Sequence, residues 1–162
     1  MPDRPTFSRD IDQPFRFRRQ PVSLPADVRP FWKIAELLLL LRESSRGGKS
    51  SLKRLHLLNW AVRSEKYTAE FVAARRGDLP LFRFNVRFEP AFSRAIDLAA
   101  GLGLVQWVGG DRIQLAAKGS QMADQILSEP GLFDDERQFL GEIGKTVTEN
   151  EADRLLRARG GS

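Results

Sequence analysis

The stretch FSRAIDLAAGLGLVQWVGGDRIQLAAKG, Phe92 to Gly119, constrains the fold more than any other part of the chain. Phe92, Ala95, Ile96, Ala99 and Leu102 recur at the i, i+3, i+4, i+7 spacing of a helix with one buried face. Glu89-Pro90 opens that helix, and it is predicted to span Glu89–Gly103. Leu104–Val108 and Arg112–Ala116 read as two strands around GGD, where glycine supplies the positive φ of a tight turn. Gly119–Leu127 then reads as another helix, stopped by Pro130.

The residues before this stretch add helices and one more strand. Pro30 is well placed in a first turn, and the spacing predicts a helix from Pro30 to about Glu43. Leu39 and Leu40 widen its apolar stripe, as in a helix central to its domain. A second helix is predicted over about Ser50–Arg63 and a third over about Thr68–Arg76. LFRFNVRF, Leu81–Phe88, alternates apolar with polar residues throughout, which predicts a strand with one buried face. Downstream, Asp134, Asp135 and Glu136 suit a helix N-terminus. TENE, Thr148–Glu151, is a capping box for a last helix to about Arg159.

Together these elements predict a mainly α chain with a small antiparallel sheet, arranged as a winged helix-turn-helix. Three parts follow: an extended Pro/Arg-rich arm at 1–29, a winged-helix domain at 30–128, and an acidic helical extension at 129–162. The arm holds five of the nine prolines, and proline blocks helix interiors.

Charge is unevenly spread within the net +5. Residues 30–76 carry ten cations against four acids, and residues 120–162 carry five against nine. A basic front and an acidic tail suit an oriented partner. The chain has no Cys, which excludes disulfides and thiolate chemistry. No apolar run approaches the ~20 residues of a membrane span, and no signal peptide is visible, so a cytoplasmic protein is expected. RGGKSS, Arg46–Ser51, resembles the end of a phosphate-binding loop, but Glu43 stands where its first glycine belongs. His56 is the one histidine and lies between leucines, as a structural histidine does. The adjacent acids at 134–136 point different ways on a helix and cannot converge. The expectation is therefore a non-enzyme with no cofactor, no metal and no catalytic residue.

The predicted 89–103 helix decides between partners. Its outer side presents Ala91, Arg94, Leu98 and Gly101, with Asp97 at the edge. Reading base edges needs Arg, Lys, Asn or Gln at several such places. One arginine offset by one aspartate suits packing against polypeptide instead. Trp107 is either core or an interface anchor. Phe15 and Phe17 in the arm need burial, which favours protein docking there as well. If DNA is touched, the candidates are phosphate contacts without sequence choice: Arg16, Arg18 and Arg19 in the arm, and Arg46, Lys49, Lys53 and Arg54 near the second helix.

SLKRLHLLNWAVRS, RFEPAFSRAIDLAAGLGLVQW and RIQLAAKG, taken in order, resemble the middle component of bacterial ABC-type three-component systems, among them the Lamassu-like antiphage systems. The resemblance covers about Pro30–Leu127. It implies a non-catalytic winged-helix subunit that binds an SMC-like ATPase near its heads, beside an effector protein. It leaves open nonspecific contact with double-stranded DNA. A winged-helix transcriptional regulator of the MarR- or PadR-like type stays open too, although such regulators usually carry a more basic recognition helix.

Overall fold

The computed structural model describes residues 29–160. Seven helices and three short strands follow in the order α1 (Arg29–Ser44), β1 (Lys49–Ser51), α2 (Leu52–Val62), α3 (Glu65–Arg76), α4 (Pro90–Gly101), β2 (Val105–Trp107), β3 (Arg112–Leu115), α5 (Ala117–Ser128), α6 (Asp134–Glu142) and α7 (Glu149–Gly160). The chain is thus mainly helical with one small antiparallel sheet, of strand order β1-β3-β2. No helix among the described residues is long and apolar enough to cross a membrane.

α1 is the axis of the molecule. Leu37 to Leu41 are all buried, because α2, α4, α5 and α6 pack around this helix. A helix packed on most of its sides keeps little polar face, here chiefly the exposed Arg42. The core continues through Leu55, Leu58 and Trp60 of α2, Phe92 and Ile96 of α4, and Phe139, Leu140, Ala152 and Leu155 of α6 and α7. The two C-terminal helices therefore share the core with the rest.

Two expectations are corrected by the structure. Lys49–Ser51, whose two serines are predicted to start a helix, form a strand whose Ser50 lies opposite Ile113 of β3. α2 begins only at Leu52, where the Ser51 side chain accepts a bond from the Arg54 N–H, as an N-cap serine does. Leu81–Phe88 is no strand. Leu81–Arg83 is a single 3-10 turn and 84–89 is irregular. The alternation holds as burial only in the middle, where Phe84 and Val86 are buried between exposed Arg83, Asn85 and Arg87, while Phe82 and Phe88 at the two ends are exposed. Phe84 packs edge-on against Trp60 at 5.2 Å. Period two records which side faces the core, and that needs no ladder.

α6 docks on α1 with an ionisable group in the joint. Phe133, at φ 57°, turns the chain into α6 and lays its ring 4.5 Å from Trp32. Burial pushes the Glu136 carboxyl up to about 7, with Glu36, Asp135 and Asp134 adding to the shift and its own backbone bond opposing it. An acid with a raised folded pKa holds a proton that the unfolded chain has released. Its contribution is thus present near pH 4.5 and lost as pH rises through about 7. We expect Glu136→Gln to gain on the order of 1–2 kcal/mol at pH 8, allowing for part exposure, and little at pH 4.5. Urea denaturation at the two pH values reads this. An equal gain at both would refute it.

Candidate interaction surface

α4 is fixed in place from its first turn. Pro90 starts it at a position that needs no N–H donor. Glu89, just before, accepts bonds from Lys33 Nζ of α1 and Asn59 Nδ2 of α2, each at 3.1 Å, with Arg63 at 3.9 Å. Burial works to raise the Glu89 carboxyl. Lys33, Asn59 and Arg63 outweigh that and hold it below the usual range. Close by, His56 is buried, stacked on Phe88 at 4.2 Å and edge-on to Phe92 at 5.2 Å. Burial lowers its pKa to about 4 against the pull of Glu89, so it is neutral at pH 7.

Phe92, Ala95, Ile96 and Ala99 of α4 face the core, as the spacing predicts. Leu102, expected to join them, does not. It is the C-cap residue and is 48% exposed, because Gly103 at φ 75° turns the chain away immediately after it. Lys118 of α5 reaches back to donate to the Leu102 carbonyl at 3.1 Å, covering one orphan acceptor of the helix end.

The outer side of α4 stands open. Arg94, Asp97, Leu98 and Gly101 are exposed and Ala91 is half-buried. Leu98, 47% exposed, and Leu102 lie four residues apart, so they are neighbours on one face. Gly101 between them has nothing within 4 Å of where a Cβ would sit. α4 also packs on β2, where Trp107 is 49% exposed. Trp107 is opposite the buried Ile113 and so belongs to the core-facing side of the sheet, at its rim. The opposite sheet face is polar, with Lys49, Gln114 and Gln106 aligned across the three strands.

The four cations near α2 do not form one free patch. Arg46 and Lys49 are exposed. Lys53 is exposed too but sits 3.4 Å from Asp153 of α7. Arg54 is buried, and its guanidinium bonds inside the molecule, which removes it as a phosphate contact. Its neighbours on the helix gave no hint, since the acceptors come from distant segments. Phe15, Arg16, Phe17, Arg18 and Arg19 lie outside the described residues. Leu102 was missed as a surface residue, although the glycine after it signals the helix end. Among the described residues no cluster of three or more His, Asp or Glu could hold a metal ion. No family model, curated protein or solved structure matches this chain.

Proposed function

We propose that the protein is an accessory subunit with a winged-helix core that docks on a larger ATPase of the SMC-like class through the outer side of α4. Three features support the winged-helix reading. The elements α1, β1, α2, α4, β2 and β3 come in that order. The sheet order is β1-β3-β2. The helix before the hairpin presents one face outward. One feature departs from the usual arrangement, since α3 and the 81–88 segment are inserted between α2 and α4.

The observation that carries the docking proposal is the exposed, nearly uncharged stripe formed by Leu98, Gly101 and Leu102. Water gains nothing from Leu98 and Leu102, and burying either on a partner yields roughly 1–2 kcal/mol. Gly101 costs the helix about 1 kcal/mol relative to alanine, and no neighbour in the fold requires it. A residue without a Cβ on an outward face allows close approach of a partner's backbone. A phosphate-binding surface would instead gather cations, and here Arg94 stands beside Asp97.

The double variant Leu98→Glu, Gly101→Arg tests the proposal. Both positions are exposed, so stability should not fall by more than about 0.5 kcal/mol. Co-purification of the ATPase from the native host, read by mass spectrometry, should fall at least tenfold. Retained partner binding together with loss of a sequence-specific DNA shift would overturn the proposal in favour of a regulator.

A further inference from the structure

The 81–88 segment is built as a rigid cationic ridge. Phe84 and Val86 are both 1% exposed. With alternate side chains anchored in the core, Arg83, Asn85 and Arg87 are held outward. The ridge is also braced from the side. Arg63 of α2 donates to the Arg87 carbonyl at 3.2 Å, and Arg63 lies over the Tyr67 ring at 5.5 Å. At its start stands Phe82, 83% exposed, the most exposed large apolar side chain among the described residues.

Neither the Arg83 nor the Arg87 guanidinium makes an ion pair or hydrogen bond among the described residues. Several acids of the elements around them are engaged elsewhere, while Asp78, in the turn before the ridge, is exposed. The turn at 81–83 packs against α7, whose Glu151 pairs with Arg75 and Arg154 and whose Asp153 pairs with Lys53 and Arg157. Glu89 is held by Lys33 and Asn59, and Glu70 lies 3.9 Å from Lys66. From Leu79 to Phe88 the sequence contains no acid.

We infer that this ridge binds single-stranded nucleic acid, with Arg83 and Arg87 on phosphates of one strand and Phe82 stacked on a base. Three physical points carry the inference. Unpaired arginines fixed on one side of a chain lose little freedom on meeting phosphates. The two arginines stand four residues apart on one exposed segment, and their long side chains can reach separate phosphates of the same strand. A lone phenylalanine held in water by a braced backbone is a platform for an unstacked base, and such stacking contributes about 1–3 kcal/mol whatever the base. A duplex keeps its bases stacked and offers Phe82 nothing. The ridge is separate from the outer side of α4, and the inference does not depend on the docking proposal.

The test is fluorescence anisotropy of the full chain with a labelled 20-nucleotide oligothymidylate and with a duplex of equal length. Arg83→Glu, Arg87→Glu should weaken oligothymidylate binding at least tenfold. The slope of log K against log salt should flatten by about 1.4, for two lost phosphates on a single strand. Phe82→Ala should weaken single-strand binding roughly 5- to 100-fold and leave any duplex binding unchanged. Circular dichroism confirms that the variants fold. No binding at low salt, or binding unchanged in the double reversal, overturns the inference. So does equal loss of duplex and single-strand binding in Phe82→Ala.

Discussion

Arg54→Met should cost about 3–5 kcal/mol of folding stability, because it strips several buried oxygens of their donor at once. For a chain of this length that lowers the melting temperature by roughly 10 °C. Arg54 sits in the first turn of α2 with 5% of its surface exposed. Its Nε donates to the Val147 carbonyl at 2.7 Å. One terminal nitrogen donates to the Ser44 and Gly144 carbonyls, the other to the Ser45 and Ser50 hydroxyls. One planar fork therefore ties the end of α1, the start of β1 and the turn before α7 together. Burial lowers the pKa of Arg54 while Glu149 opposes the shift, and the group stays charged at any ordinary pH. Methionine fills similar volume but leaves three carbonyls without donors, each costing about 1–3 kcal/mol if water cannot reach it. Arg54→Lys keeps the charge and loses the fork, so it should recover only part of the stability. Thermal and urea denaturation read both. A loss under about 1 kcal/mol for Arg54→Met would show that water replaces the fork without strain.

Gly119→Ala should be comparably damaging, at about 3 kcal/mol or more, for a steric reason. Gly119 is buried in the first turn of α5. A Cβ there would penetrate the Leu104 carbonyl oxygen and come 2.9 Å from its carbon. These are backbone atoms, and the same carbonyl accepts the Ala116 N–H at 2.9 Å. Relief requires sliding α5 off the start of β2 and giving up that bond, and overpacking of this kind costs at the upper end of its range. Gly101→Ala is the matched control, for the site is open and the substitution should gain about 0.5–1 kcal/mol. Equal effects at the two glycines would sink the reading of Gly119.

The parts legible in the sequence were those set by local periodicity. Phe92, Ala95, Ile96 and Ala99 announce α4, and the glycines at 109 and 110 announce the hairpin that the structure closes with positive φ at both. The acids at 134–136 mark the start of α6. What escaped depends on segments far apart in the chain. β1 is three residues long, and it exists because Arg112–Gln114 pair with it some sixty residues later. Three residues carry no readable period. Arg54 looks like a surface cation on a helix until Gly144 and Val147 fold back onto it. The 81–88 alternation was legible as burial and misread as pairing, since both leave the same pattern. At the candidate surface, Leu98 and Gly101 were placed outward by helix geometry alone, and Leu102 joined them because a helix end breaks its own periodicity.

The closure between the two ends of the described chain bears on how the protein is made. Glu149 accepts the Ser51 N–H at 3.0 Å and its hydroxyl at 2.5 Å, and Arg75 grips Glu151 with its Nε at 3.0–3.1 Å. During synthesis, β1 and the first turn of α2 leave the ribosome almost a hundred residues before these acceptors do. At the roughly 5–20 residues per second of translation, Arg54 and Ser51 wait several seconds for these later acceptors. The native arrangement is therefore sealed last at the residues that were made early.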